Sequence, residues 1–123
     1  MGRQVTRVQD LTVWKRGFQL VKEIYLLTAR FPSDEKFGLT SQMRRAAVSI
    51  PANIAEGFGR NSRKDFARFS SIALGSAREV ETLLMLAVEI NLVSRDASGK
   101  CMALNDECCR MLNAMRSNLN AQS

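Results

Sequence analysis

Apolar residues recur along this chain in four blocks at the three- and four-residue steps of an α-helix. The first block carries two adjacent rows: Leu11, Trp14, Phe18, Val21, Tyr25 and Ala29, then Leu20, Ile24, Leu27 and Phe31. Two rows make a wider apolar surface than a helix packed on one side requires. Either the helix is wedged deep in its own bundle, or one row faces another subunit. Gly17 in mid-helix costs about 1 kcal/mol relative to alanine and marks a candidate point of close helix approach.

The second block is Leu39, Met43, Ala46, Ala47, Ile50, Ile54, Ala55 and Phe58. Gly38-Leu39-Thr40-Ser41 offers a start, with hydroxyls to cap free amides. Pro51 lacks the amide that would bond to Ala47, so the spacing predicts a kink or break there, with Ser49 and Asn53 at hand for freed backbone groups. Gly57-Phe58-Gly59 predicts a stop, with a glycine in the left-handed cap conformation.

Asn61 or Ser62 is placed to cap the third helix, which carries Phe66, Phe69, Ile72, Ala73, Ala77, Val80, Leu83, Leu84, Ala87 and Ile90. Ala67, Ser71 and Gly75 repeat at four-residue spacing, a pattern of close packing. Ser94 or Asp96 caps the last block, where Cys101, Leu104, Cys108, Met111 and Met115 form a heptad-like seam. Asp10 is the expected cap of the first helix. The pattern predicts an all-α fold, an antiparallel up-down-up-down four-helix bundle over residues 10–30, 38–58, 63–91 and 95–119. Residues 1–123 make one domain, with fraying at 1–9 and 120–123.

Composition agrees with a globular domain: 46% hydrophobic, 24% charged, with a net charge of +6. The charge is uneven. Residues 1–37 carry a net +3, residues 38–68 a net +4, and residues 69–123 a net −1. The positive field therefore belongs to the first half of the chain, which favours an anionic partner. No apolar run reaches the roughly 18 residues of a membrane span. The N-terminus lacks the apolar region of a signal peptide, so a cytoplasmic location is expected.

Little in the sequence suggests catalysis. There is no histidine, no phosphate loop with its lysine, and no strand before Gly57-x-Gly59 to make a dinucleotide fingerprint. The spacing of Cys101, Cys108 and Cys109 is not that of a zinc site, so these thiols are expected in the core of a protein kept reduced. No cofactor or metal is expected, and the protein is expected not to be an enzyme. Glu79, Glu81 and Glu89 are expected to be solvated or to partner arginines such as Arg78.

LTVWKRGFQLVKEIY and FGLTSQMRRAAVSIPANIAEGFGR give the pattern LTSQxRRAxxSIPxNIAEGxGR. Over Leu11 to Val93 the chain resembles the four-helix-bundle family that includes the 23S rRNA intervening-sequence proteins. Members are similar to accessory proteins of diversity-generating retroelements, basic bundles that bind nucleic acid and partner with a reverse transcriptase. The resemblance implies a bundle protomer and a ring-like homo-oligomer, a pentamer. It favours the view that one row of the first helix faces another subunit.

Two functions follow as expectations. In the first, Arg44, Arg45, Arg60, Arg63, Lys64 and Arg68 form a basic face for RNA or DNA phosphates, read mainly by charge. Phe58 and Phe66, the aromatics among them, fit the core pattern, so base stacking is not expected. In the alternative, the protein is an oligomeric scaffold for a protein partner. Its arginines would then pair with its own Glu56, Glu79 or Glu81, or with an acidic partner; from charge patterning alone, Arg44 and Arg45 also read as a solvated helix face.

Overall fold

Residues 6–121 are described in a computed structural model of the chain. They form four helices: α1 (Thr12–Thr28), α2 (Leu39–Phe58), α3 (Arg63–Glu89) and α4 (Arg95–Ala121). No strand occurs among the described residues. α1 and α3 each pack against both α2 and α4, which fits a four-helix bundle. Short 3-10 turns at Val8–Asp10 and Ser33–Glu35 precede α1 and α2. Of the stretches expected to fray, residues 8–10 are therefore ordered and α4 continues to Ala121, while residues 1–5 and 122–123 lie outside the described residues.

The two rows of α1 part company. Leu20, Ile24 and Leu27 are buried, and Phe31 just beyond the helix joins them in the core. Along the other row Phe18 is 50% and Tyr25 44% exposed, Trp14 and Val21 are half-buried, and the Trp14 and Phe18 rings stack with centroids 5.0 Å apart. The protomer therefore buries one row and covers the other only in part: Leu11, Trp14 and Val21 pack against the core's edge, while Phe18 and Tyr25 face outward. A Cβ on Gly17 would meet Ile50 Cγ2 at 3.2 Å and Pro51 Cδ at 3.5 Å. The missing side chain is what lets α1 approach α2 at the proline.

Pro51 does not break α2, which runs unbroken through it with the ring buried. Asn53 does not reach the Ala47 carbonyl; its Nδ2 donates instead to the Ser49 carbonyl and hydroxyl, each at 2.8 Å. Ser76 on α3 donates to the same Ser49 hydroxyl at 2.7 Å. α2 ends at Phe58 with Gly59 as its C-cap, as the Gly57-Phe58-Gly59 pattern predicts, but Gly59 is right-handed (φ −78°) rather than left-handed. Gly57 lies inside the helix, where a Cβ would come within 2.7 Å of Phe69 Cβ and 3.1 Å of Phe66 Cδ1. It is a packing glycine, needed because α3 crosses there. The left-handed backbone falls at Asn61 (φ 58°) and Asn91 (φ 65°), since asparagine tolerates that region.

The caps divide in the same way. Ser62 Oγ accepts from the Asp65 amide at 3.2 Å, and Ser94 Oγ from the Ala97 amide at 3.0 Å. Asp10 does not cap α1; it sits in the preceding 3-10 turn, 3.6 Å from Arg7. The start of α2 is capped by Glu35, whose Oε1 accepts the Leu39 amide at 3.1 Å, and not by the hydroxyls that follow.

In α3 the core takes Leu74, while Ile72 and Ile90 are 43% and 47% exposed. Of the expected packing row Ala67 is buried, but Ser71 is exposed and Gly75 has nothing within 4 Å of a built Cβ, so the rest of that spacing packs nothing within the protomer. In α4 the buried seam is Cys101, Asn105, Cys108, Cys109 and Leu112, while Leu104, Met111 and Met115 are half-buried. Asn105 Nδ2 donates to the Ala77 carbonyl at 2.9 Å, tying α4 to α3.

Candidate nucleic-acid interface

The six cations singled out by the sequence lie near the two ends of α2, and each end treats them differently. Residues 45 and 60 are about 22 Å apart along a helix rising 1.5 Å per residue.

At the far end, Arg60 and Arg68 straddle α2 and α3. Their guanidinium carbons lie 5.1 and 4.4 Å from the centroid of the same Phe69 ring. Arg60 is 2.9 Å from Glu56, and Arg68 is 3.7 Å from Asp65. Both ion pairs are solvent-exposed, where such contacts contribute at most about 1 kcal/mol. Arg63 and Lys64, in the first turn of α3, are exposed and have no ion pair or hydrogen bond among the described residues. Positive charge is unfavourable by a few tenths of a kcal/mol at a helix N-terminus. Beside them Phe58 and Phe66 meet edge to face at 6.0 Å, half-buried.

At the near end the cations enter an open groove between α1 and the start of α2, of about 430 Å³. Arg44 is fixed there by three contacts. Its Nε donates to Thr28 Oγ1 at 2.8 Å, its Nη2 to the Tyr25 carbonyl at 3.4 Å, and its guanidinium lies 4.4 Å from the Tyr25 ring centroid. Thr28 is buried and hands its own proton to the Ile24 carbonyl at 2.7 Å. Arg44 therefore joins α1 to α2 as well as carrying charge. Arg45 is exposed and has no ion pair or hydrogen bond among the described residues. It also borders a second cleft of about 300 Å³ with Ser49, Ser76 and Glu79.

The sequence marked Tyr25 only as part of an apolar row and gave Lys36 and Phe37 no binding role, yet all three line the near groove. Phe37 is 90% exposed, and the Lys36 ammonium lies 5.6 Å from its ring centroid. Ser41, Arg45 and Val48 step by four and three along one face of the entering helix, but Phe37 stands in the turn before it, so no helical period marks it. No carboxylate lines this groove.

Of the glutamates, Glu81 lies 3.5 Å from Arg78, as the spacing suggested. Across the bundle Arg16 pairs with Glu107 at 3.1 Å and Lys100 with Glu23 at 3.2 Å. The three cysteines are free thiols in the core. Burial pushes Cys101 up to about 11 and Cys108 up to about 12, and raises Cys109 despite the Arg78 charge nearby. They are protonated, poor nucleophiles at neutral pH. Among the described residues no group of three histidine, cysteine or acidic side chains could hold a metal ion, and no helix is long and apolar enough to cross a membrane.

With this geometry in place, the comparisons give a family. A protein of unknown function from the S23 ribosomal protein family of Bacteroides thetaiotaomicron has a similar crystal structure, with a TM-score of 0.77 and 25% identity. The likeness covers 85% of this chain and 98% of that one. No match was found among curated proteins. The profile of the 23S rRNA-intervening sequence proteins matches residues 9–114. The chain belongs to the 23S rRNA-intervening sequence protein family.

Proposed function

We propose that this protein is a non-enzymatic, oligomeric helical bundle that binds the phosphate backbone of RNA or DNA through Arg44, Arg45, Arg60, Arg63, Lys64 and Arg68. The observation that carries the proposal is their exposure. Five of the six are exposed, and Arg45, Arg63 and Lys64 have no carboxylate partner among the described residues. Phosphates can neutralise such cations without first breaking an internal pair, which makes these three the main contributors. Arg60 and Arg68 contribute after exchange with Glu56 and Asp65, and Arg44 contributes charge from a fixed position.

The protomer is proposed to be an antiparallel up-down-up-down bundle. Paired contacts support this, because residue numbers rise on one helix as they fall on its neighbour. Arg16 meets Glu107 and Glu23 meets Lys100. Gly17 meets Ile50 and Thr28 meets Arg44; Ser49 meets Ser76 and Gly57 meets Phe69. The exposed Phe18 and Tyr25, with half-buried Trp14 and Val21 beside them, support self-association, since exposed apolar patches mark interfaces. Its closure into a pentameric ring, and a partnership like that of retroelement accessory proteins, extend the family likeness to this chain. Free buried thiols support a cytoplasmic location.

The alternative, a scaffold for a protein partner without nucleic-acid contact, is favoured by the Arg60–Glu56 and Arg68–Asp65 pairs. A salt series separates the two. RNA and duplex DNA are titrated with the wild-type protein and with an Arg45→Gln, Arg63→Gln, Lys64→Gln variant, with the mass in solution recorded for both. Binding should weaken with salt, and on duplex DNA the slope of log K against log salt should flatten by about 0.9 for each contact removed. Absence of binding at low salt by a folded oligomer would turn the search to a protein partner.

A further inference from the structure

The groove at the start of α2 carries more than charge. Lys36, Arg44 and Arg45 converge on it, no carboxylate lines it, and Phe37 stands beside it with 90% of its surface in solvent. A phenylalanine so exposed contributes almost nothing to its own protomer's core, so its hydrophobic surface is available to a ligand. The Tyr25 ring is covered by the Arg44 guanidinium at 4.4 Å, whereas Phe37, 90% exposed, meets only the Lys36 ammonium at 5.6 Å and keeps most of its ring in solvent. The groove is lined in order by aromatic Phe37 from the turn before α2, then hydroxyl Ser41 and cation Arg45 on α2.

We propose that this groove is a single-strand subsite, in which one unpaired base stacks on Phe37 while the adjoining phosphates lie against Lys36 and Arg45. This rests on the proposed nucleic-acid binding and deepens it by naming the class of strand. In a duplex the base faces are covered by their neighbours and only phosphates reach the cations. An unpaired base offers its π-face as well, and stacking on an aromatic side chain is tolerant of sequence. Arg44 is a positioning residue: pinned to Tyr25 and Thr28, it holds positive charge at the groove wall at no further ordering cost. The expectation drawn from Phe58 and Phe66, that base stacking plays no part, missed this site because Phe37 lies outside every helical row.

The test uses the full chain and a short single-stranded RNA containing a fluorescent adenine analogue quenched by stacking, beside the same sequence as a blunt duplex. Wild type, Phe37→Ala, Phe37→Leu and Lys36→Gln/Arg45→Gln are compared at one salt concentration, with mass in solution and circular dichroism recorded. The subsite predicts quenching on binding, and a single-strand affinity at least about fivefold weaker in both Phe37 variants, with duplex affinity unchanged. The double charge variant should weaken both ligands. Equal losses on duplex and single strand, or no effect of Phe37→Ala on a strand that binds, would overturn the subsite and leave backbone binding standing. A free mononucleotide that competes as well as the strand would also overturn it. So would a Phe37→Ala protein of altered mass, which would assign Phe37 to contact between copies. No binding of either ligand by intact protein would remove both proposals together.

Discussion

The two ends of α2 carry similar charges on different foundations. At the far end the arginines serve the protomer: Arg60 and Arg68 share the Phe69 ring and meet Glu56 and Asp65, near Gly57, where a Cβ would come within 2.7 Å of Phe69 Cβ on α3. At the near end no carboxylate lines the groove that Lys36 and Arg45 share, Arg45 borders Glu79 only across a second cleft without an ion pair, and an aromatic ring stands in solvent beside them. A cation held by its own chain has part of its field satisfied before any ligand arrives. The contrast teaches that a count of arginines along a helix says less about binding than the inventory of what already opposes them.

Substitutions at the crossing should break the comparison most visibly. Gly57→Ala places a methyl 2.7 Å from Phe69 Cβ, too close for either to stay put. Overpacking of this kind costs about 1–3 kcal/mol, less roughly 1 kcal/mol of helix propensity returned. Urea denaturation should show a net loss, and a larger one for Gly57→Leu. Phe37→Ala at the open end should change the same measurement by less than about 0.5 kcal/mol.

The core beneath both ends supplies a pH reference. Cys101 and Cys108 have folded values raised to about 11 and about 12 from 9.0. In the unfolded chain these thiols ionise first, so the native state binds more protons above pH 9. Stability contributed by the neutral thiols is complete below about 9 and is lost as pH rises toward 11 and 12, by up to about 1.4 kcal/mol per pH unit for each. Replacing Cys108 with alanine should flatten the alkaline slope, at the expense of a small cavity.

Arg44→Ala should sharpen the division between structural and functional charge. It removes the bond to Thr28 and the stacking on Tyr25, a loss of about 1–2 kcal/mol, and should weaken RNA binding too. Arg45→Gln should weaken binding while leaving the denaturation midpoint in place. The smallest expected effect is a gain. Gly75→Ala, in open space on α3, should stabilise the protomer by about 1 kcal/mol. Loss of assembly by that variant would instead show Gly75 to be needed between copies.

Much of this was legible in the sequence, for identifiable reasons. Four helical periods fixed four helices to within two residues at most ends, and Gly17 was marked as a close approach because a mid-helix glycine needs a reason. The cap at Ser62 and the pairing of Glu81 with Arg78 followed from local chemistry. Tertiary contacts decided the rest. The stop at Gly57-Phe58-Gly59 was legible, with Gly59 as C-cap, but that Gly57 also lets two helices cross is visible only from Phe69 on the neighbouring helix. Ser71 and Gly75 repeat at a packing period with nothing packed on them. Asn105 entered the α4 seam because Ala77 offers it a carbonyl, which periodicity does not register. The groove was hidden for a similar reason. Tyr25 and Lys36–Phe37 come from different elements, and a search for cations along α2 passes over an aromatic in the connection before it.

One titration tests the account most directly. A single-stranded RNA is bound at fixed low salt by the wild type, by Lys36→Gln/Arg45→Gln, and by Arg60→Gln/Arg68→Gln. Each double variant removes two positive charges, so long-range electrostatics alone would weaken both equally. The account predicts a clearly greater loss at the open end of α2. Equal losses, or a greater loss from the paired arginines, would contradict it.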